Sequence, residues 1–138
     1  MTTDRGHVTR VPILLRNRDM DTLGHLNQSL YHVFIEEART AVVLELLGTG
    51  VVDYVLARVE LDHLHEVRLE DREVAAEAWI EHVGAKSLRI GSRVVKLDGT
   101  VVAQGTTVLV AWDPERRGSR PIDDEERAAL VAGLPVAT

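Results

Sequence analysis

The sequence predicts an α+β domain in which a five-stranded, largely antiparallel sheet covers one long helix, with a short helix near the C-terminal end. Two patterns lead to this prediction. Apolar residues recur at spacings of four and three over about 19 residues, which is typical of a helix face. Val-rich segments that alternate in part then fill about 60 residues, separated by turn signals. With 138 residues, 45% of them hydrophobic, the chain is long enough to bury one core.

The first two elements are a strand and the long helix. Residues Val8–Leu15 have the pattern of a strand, and Pro12 within it indicates an edge position or a bulge, because proline cannot donate a ladder hydrogen bond. The helix is expected from about Ser29 to Gly48, where glycine is a natural C-terminal stop. Two adjacent apolar stripes run along it, made of Tyr31, Ile35, Ala38, Val42 and Leu46 and of Leu30, Phe34, Ala41 and Val42. We therefore expect this helix to be mostly buried.

Four strand patterns follow the helix, and a short helix comes after them. The strands are expected at residues 52–64, 73–83, 86–97 and 101–112. The closing helix starts in the acidic run Asp123–Glu126 and ends near Gly133. No repeat or linker divides the chain, so residues 1–138 are predicted to form a single domain. The sheet must then curl round the helix with one face, while its other face meets solvent or another subunit.

Composition and charge exclude several classes of function. The 22 acidic residues outnumber the 16 basic ones and give a formal charge of −6, whereas nucleic-acid binding needs a clustered excess of Lys and Arg. No apolar run approaches the roughly 18 residues of a membrane span. The chain has no cysteine, and its first ten residues lack the apolar region of a signal peptide. We expect a cytoplasmic protein that binds neither nucleic acid nor membrane.

The stretch "RNRDMDTLGHLNQSLYHVFIEEAR", residues 16–39, carries a family resemblance. It resembles the signature of the hotdog acyl-CoA thioesterases of the 4-hydroxybenzoyl-CoA thioesterase type, which runs Asp-x-Asp-x-x-Gly, then a polar or aromatic segment, then Tyr and Glu-x-Ala-Arg. The matching residues are Asp19, Asp21, Gly24, His25, Asn27, Tyr31, Glu37, Ala38 and Arg39. The order strand, long helix, four strands is that of the hotdog fold, so the resemblance implies this fold.

The polar residues just before the predicted helix could take part in thioester chemistry. The first N–H groups of a helix lack internal partners and lie at the positive end of its dipole, so they can hold an oxyanion. A short carboxylate in the preceding loop can act on a thioester carbonyl as nucleophile or as general base toward water. The resemblance implies that Asp21, rather than Asp19, is this carboxylate. Asp and Asn are also common turn and N-cap residues, so a structural role for Asp21 is the alternative, and Asp19 is expected to brace the loop. Gly24 would let the loop approach the ligand, and the N–H at about Gln28 is expected to point at the thioester oxygen.

Further residues are expected to contact the substrate. His25 and Asn27 could orient water or substrate, although a purely structural role fits them equally well. The turn "GAKSL" resembles the family's basic turn before the fourth strand, near the site of the coenzyme A phosphates, although Gly84 and Ala85 stand where some relatives have arginines. Lys86, with Arg89 and Arg93 near it, is the candidate phosphate contact. The predicted substrate-binding set is Gly24, His25, Asn27, Gln28, Tyr31, Lys86 and Ser87.

Other chemistry has weaker support in the sequence. Another branch of the hotdog thioesterases takes its carboxylate from the helix, which makes Glu36 and Glu37 the residues to weigh. Glu37 and Arg39 fit a structural or subunit-contact ion pair better than a catalytic role. His63 and His65 are expected on one face of a strand, with His82 as a further histidine, yet no third ligand stands at metal spacing. The chain lacks a cysteine nucleophile and a Gly-x-Ser-x-Gly elbow. We predict neither a metal nor a redox cofactor.

The sequence therefore predicts a thioesterase that hydrolyses an acyl-CoA to a carboxylate and free coenzyme A. Two alternatives stay open: a non-catalytic acyl-CoA-binding protein on the same fold, and an enoyl-CoA hydratase. An open sheet edge favours pairing across a two-fold axis, so a homodimer or homotetramer is expected. The resemblance implies that each pocket lies at the subunit interface, with the Asp21 loop from one subunit and the Lys86 turn from its neighbour.

Overall fold

The computed structural model describes residues 4–48 and 52–136, and the remaining residues of the predicted domain lie outside the described ranges. Six strands and two helices make up the fold. In chain order they are β1 (Val8–Leu14), α1 (Gln28–Leu47), β2 (Tyr54–His63), β3 (Glu73–Val83), β4 (Ser87–Lys96), β5 (Val101–Asp113), β6 (Gly118–Ser119) and α2 (Asp124–Val131). Single 3-10 turns lie at Asn17–Asp19 and Leu69–Asp71. The predicted helices and five main strands are thus confirmed.

The strands form one antiparallel sheet in the order β1-β3-β4-β5-β2, with the short β6 added on β5. Pro12 lies in β1 at one edge of this order, as predicted. The other edge is β2, which carries a bulge between Leu56 and Arg58. The sequence did not predict β6, because two residues are too few to show a periodic pattern. The sheet is therefore open, with β1 and β2 as its two edges.

The long helix α1 fills the inner face of the sheet. Its left-handed C-cap is Gly48, at φ 69°, which is a conformation that glycine adopts without a steric penalty. The helix packs on β1, β3 and β4. Its buried side chains are Tyr31, Phe34, Ile35, Ala38, Arg39, Val42 and Val43. They meet the inward side chains of the sheet, among them Val74, Ala76, Ala78, Ile80, Ile90 and Val94, in one hydrophobic core.

In the described part of the chain no helix covers the outer face of the sheet, which is stabilised by side-chain contacts between strands. Glu77 on β3 lies between Arg10 on β1, at 3.1 Å, and Arg93 on β4, at 2.5 Å. The ring of Trp79 lies across Gly91, where a Cβ would come closer to the indole than van der Waals contact allows. Glycine at position 91 therefore makes room for the tryptophan on the neighbouring strand. Arg93 belongs to this ion-pair cluster.

The end of the sheet near α2 is closed by a polar cluster. Glu126 accepts hydrogen bonds from the hydroxyl of Tyr54 at 2.8 Å and from Arg120 at 2.6 and 3.0 Å. Although burial raises the pKa of Glu126, the bonds from Arg120 and Tyr54 outweigh it and lower the pKa to about 2. Burial and the neighbouring Glu126 raise the pKa of Tyr54. The cluster ties the start of β2 to α2.

Two expectations about side chains need correction. The strand β2 ends at His63, so His65 is not on a strand and the two histidines do not share a strand face. Within one chain Arg39 pairs with Glu36 at 3.3 Å rather than with Glu37, because positions three apart are neighbours on a helix surface. A contact of Glu37 or Arg39 with a second subunit stays a prediction. In the described ranges, no three His, Cys, Asp or Glu side chains form a group that could hold a metal. No helix there is long and apolar enough to cross a membrane.

Candidate active site

The loop before α1 folds into a tight hairpin. Its two sides are joined by bonds from Asn27 N–H to Asp19 O at 2.9 Å and from Asp21 N–H to His25 O at 2.7 Å. The turn contains Gly24 at φ 77°, in the left-handed region that disfavours other residues. Asp21 lies two residues beyond Asp19, which places it about 7 Å along the hairpin from the Asp19–Asn27 pair. The hairpin thus holds Asp21 at its tip.

A second segment supports the hairpin from the side. Leu26 donates its N–H to Val67 O at 2.8 Å, and Val67 is fully buried. His25 Nε2 lies 2.7 Å from Glu66 Oε2, with both side chains about half exposed. This partner of His25 did not emerge from the sequence, because Glu66 lies in a segment without a clear period. The structure thus gives His25 a structural partner, while its contact with substrate remains a prediction.

Asp21 uses one carboxylate oxygen for the turn and leaves the other free. Its Oδ1 accepts the N–H of Leu23 at 2.9 Å and the N–H of His25 at 3.0 Å. Among the described residues no donor reaches Oδ2, and the residue is exposed. The carboxylate is therefore held in place by the backbone while one oxygen remains available to a ligand.

Asp19 has the bracing role that the sequence predicted. It is 2% exposed, and its carboxylate accepts bonds from the backbone N–H of Arg16 at 2.9 Å and from the Arg16 guanidinium at 2.9 and 3.1 Å. Burial raises the pKa of Asp19, but the bonds from Arg16 outweigh it and leave the pKa below its ordinary value. All of its contacts are internal, which fits a structural residue.

The start of α1 offers a free donor. Asn27 is the N-cap, and its side chain accepts the N–H of Ser29 at 3.1 Å. Leu30 N–H bonds to Asn27 O at 3.0 Å. In the described structure the N–H of Gln28 has no partner, and no acidic residue lies in the first turn to neutralise the helix dipole. An anionic oxygen would be stabilised at this point.

Tyr31 lies one helical turn further along and is part of the core. It is 4% exposed, and the edge of its ring meets the ring of His63 on β2, with 4.7 Å between centroids. Burial raises the pKa of Tyr31, and the charge of Asp71 adds to the effect. The side chain joins the start of α1 to the end of β2, and its proposed contact with substrate is untested.

The Lys86 turn lies at the opposite end of the sheet from the hairpin. β1 runs from Val8, opposite Trp79, to Leu14, opposite Glu73, so the hairpin follows at the first end of β3. The turn that contains Lys86 and Ser87 comes after the other end, and the eleven residues of β3 span about 33 Å. One chain therefore does not bring the two predicted halves of the site together.

The turn itself is well formed. Gly84 N–H bonds to Ser87 O at 2.7 Å, and Arg127 of α2 donates to Gly84 O at 2.9 Å. Lys86 is exposed, and neither it nor Arg89 forms an ion pair within the described ranges. Two cations near one turn remain available to an anionic ligand.

A cavity of about 650 Å³ also lies at the Lys86 end of the sheet. Its lining residues are Leu47, Asp53, Tyr54, Arg120, Asp123, Glu125, Glu126 and Ala129. Four of the eight are carboxylates, and the one arginine is already bound to Glu126. A phosphate group would meet like charges there, so this cavity does not suit coenzyme A phosphates.

A curled antiparallel sheet around a long helix, with a carboxylate hairpin before that helix, defines the class of hotdog thioesterases. The chain belongs to the thioesterase superfamily, whose family model matches residues 23–103. Asp21 lies two residues before the matched range. No curated protein matches the chain.

Solved structures give the same class. A thioesterase from Thermus thermophilus, complexed with coenzyme A and Zn, is 29% identical with a TM-score of 0.78 and covers 88% of this chain and 96% of its own. A thioesterase superfamily protein from Jannaschia sp. is 20% identical with a TM-score of 0.86 and covers 99% of each chain. A Staphylococcus aureus protein in complex with CoA is 13% identical with a TM-score of 0.77 and covers 100% and 92%. The last two similarities establish the fold alone.

Proposed function

We propose that this thioester hydrolase acts on acyl-CoA and that Asp21 carries the chemistry. The observation that supports this most directly is that Asp21 keeps one carboxylate oxygen without a donor and Gln28 keeps its N–H without an acceptor, both in the described segment that leads into α1. The thioester carbonyl would lie at the start of α1, and its oxygen would accept the N–H of Gln28. As the tetrahedral intermediate forms, the unneutralised helix dipole would stabilise the negative charge.

Asp21 can serve this reaction in two ways. As a general base, Oδ2 takes a proton from water while the water oxygen attacks the carbonyl carbon, and the coenzyme A thiolate leaves and is protonated. As a nucleophile, Oδ2 attacks the carbon itself, the thiolate leaves, and water then hydrolyses the resulting anhydride. Both routes need an ionised carboxylate at position 21, and both give a carboxylic acid and a free thiol.

Two observations support coenzyme A as the leaving group: a similar thioesterase is complexed with coenzyme A, and two exposed cations lie near the Lys86 turn. The Thermus thermophilus thioesterase, 29% identical, is complexed with coenzyme A. In this chain Lys86 and Arg89 are cations without an ion-pair partner in the described structure. The nucleotide phosphates of coenzyme A would bind at this turn, with Ser87 beside it.

The distance between the two halves of the site favours a dimer. The Asp21 hairpin and the Lys86 turn are separated by the length of β3, about 33 Å. A two-fold axis across a sheet edge would place the hairpin of one subunit near the turn of its neighbour. We expect a homodimer, or a pair of dimers, as the active form. Light scattering that finds a compact, active species near 15 kDa would contradict this.

The test of the activity is the release of free thiol from a panel of acyl-CoA thioesters. The panel includes aliphatic and aromatic acyl groups and one acyl carrier-protein thioester. Thiol release from acyl-CoA supports the proposal. Binding of acyl-CoA without thiol release would leave the non-catalytic alternative, and hydration of enoyl-CoA without hydrolysis would establish the hydratase.

A further inference from the structure

A further cavity, of about 210 Å³, lies on the sheet between β2, β5 and β4. Its lining residues are Arg58, Glu60, Arg89, Thr106 and Val108. Both arginines are exposed, and within the described ranges only Arg58 has an ion-pair partner, which is Glu60. The lining thus has two guanidinium groups and one carboxylate. This is a local excess of positive charge in a chain whose formal charge is −6.

The register of the sheet brings the two arginines together. Val108 on β5 lies opposite Arg58 of β2 on one side and opposite Arg89 of β4 on the other. Residues directly opposite each other in an antiparallel pair project to the same face of the sheet. The Cα atoms of the two arginines are two strand spacings apart, about 10 Å. Their long side chains can therefore approach one small ligand from opposite sides, with Val108 beneath it.

The neighbouring row of residues completes the cavity. Thr106 lies opposite Glu60 on β2 and opposite Gly91 on β4. The ring of Trp79 lies across Gly91, so this row belongs to the outer face of the sheet. Thr106 adds a hydroxyl to the lining, and Glu60 holds Arg58 by an ion pair. The cavity is therefore on the opposite face of the sheet from α1.

We propose that this cavity binds a phosphate group between Arg58 and Arg89. The planar fork of a guanidinium matches two phosphate oxygens. A phosphate has enough oxygens for two arginines and the hydroxyl of Thr106, whereas one bidentate arginine already engages both oxygens of a carboxylate. Sites that enclose a whole small molecule measure roughly 300–1,000 Å³. A cavity of 210 Å³ therefore suits a phosphate group better than an entire nucleotide.

Glu60 limits the affinity of this site. Its carboxylate is part of the lining, where it occupies Arg58 and repels an anion. Glu60→Gln keeps the size of the side chain and removes its charge, so it frees Arg58 for the ligand. The proposal therefore predicts changes of opposite sign. Loss of either arginine weakens phosphate binding, and loss of the glutamate charge strengthens it.

The cavity lies close to the Lys86 turn. Ser87, which follows Lys86, lies opposite Val110, two residues along β5 from Val108, which is a step of about 7 Å. Two sources of a phosphate group fit this position. One is the nucleotide of a coenzyme A thioester bound at the turn, and this source rests on the proposed function. The other is a free phosphate compound that binds on its own.

Calorimetric titration of the full chain tests the site without reference to activity. The titrants are inorganic phosphate, adenosine 3′,5′-bisphosphate and, as the carboxylate control, acetate, all at one ionic strength. We expect both phosphate compounds to bind and acetate not to compete. Arg58→Gln and Arg89→Gln should each raise the dissociation constant of phosphate about 5- to 20-fold, since each removes a charged donor. Glu60→Gln should lower it about threefold.

Two further variants complete the experiment. Arg10→Gln is the matched control, because it removes the same charge from the outer face at β1, where Arg10 pairs with Glu77. It should leave the dissociation constant within about twofold. Lys86→Gln distinguishes the two sources. If the bisphosphate spans the cavity and the turn, this variant binds it about fivefold more weakly and binds inorganic phosphate as before. If the source is a free phosphate compound, both ligands bind this variant unchanged.

Several results would overturn the site. If neither phosphate compound binds, or if Arg58→Gln and Arg89→Gln bind as tightly as the unchanged chain, the cavity does not hold phosphate. Competition by acetate as strong as that by phosphate would show that the cavity does not select phosphate. An equal loss in Arg10→Gln would show a general effect of charge. Because the readout is binding, a failure of the proposed thioesterase activity does not enter the result.

Discussion

Two hydrogen bonds join Asp21 and His25 across the tip of the hairpin. The N–H of Asp21 donates to His25 O at 2.7 Å, and the N–H of His25 donates to Asp21 Oδ1 at 3.0 Å. One oxygen of the carboxylate is thus committed to the fold of the loop, and the other is not. This division would let Asp21 serve both as a turn residue and as the proposed reactive group, so substitution can separate the two roles.

Asp19→Asn is expected to destabilise the protein while leaving its chemistry intact. Asp19 is buried against Arg16, and removing its charge leaves the guanidinium without its partner, so the free energy of unfolding should fall by about 1–3 kcal/mol. Thermal or denaturant unfolding measures the loss. Turnover per folded molecule should stay within about threefold of the unchanged enzyme. A collapse of turnover in a fully folded variant would give Asp19 a direct role.

The stability of the protein should depend on Glu126 in a defined acid range. The folded pKa of Glu126 is about 2, below its ordinary value of 4.5, so its contribution is fully present above pH 4.5 and is lost as the pH falls toward 2. Glu126→Gln should lower the free energy of unfolding by about 1–3 kcal/mol at neutral pH. Denaturant unfolding of both proteins between pH 2 and 7 should show this difference shrinking below pH 4.5. A difference that is constant across the range would contradict the assigned pKa.

Lys86→Glu is expected to weaken binding of acyl-CoA and to leave turnover nearly intact. Reversing one charge at an exposed phosphate contact should cost on the order of 1 kcal/mol, with a larger loss at low salt than at high salt. The Michaelis constant for acyl-CoA should rise about fivefold. Short pantetheine thioesters, which lack the nucleotide phosphates, are the control. If their Michaelis constant rises as much, Lys86 does not contact phosphate.

Much of the fold could be predicted because its elements are long and periodic. The helix was expected from about Ser29 and begins at Gln28, since its apolar stripes repeat over 20 residues. Four strand patterns after it all proved to be strands. β6 was not predicted because two residues are too few to show a periodic pattern. His65 was expected on β2 because "HLH" at residues 63–65 continues the alternation, but the strand ends at His63.

The site was less predictable because its parts come from distant segments. The position of the two residues in the motif predicted Asp21 as the catalytic carboxylate and Asp19 as a structural residue. The ion pair between Asp19 and Arg16 agrees with the structural role of Asp19. The contact of His25 with Glu66 depends on how the hairpin packs against the connection between β2 and β3. A local sequence pattern does not predict such a contact between distant segments. The separation of Lys86 from the hairpin follows from the sheet register and likewise requires the structure.

The most direct test of the account is the turnover of Asp21→Asn. The amide oxygen of asparagine can accept the same N–H groups from Leu23 and His25, so the hairpin should keep its fold and thermal stability should change little. The substitution removes the charge and basicity that both routes require. We expect turnover on the best acyl-CoA substrate to fall by at least about 100-fold with little change in substrate binding, and Asp19→Asn is the matched control. An Asp21→Asn enzyme that hydrolyses this substrate at nearly the unchanged rate would contradict the mechanism and direct attention to Glu37.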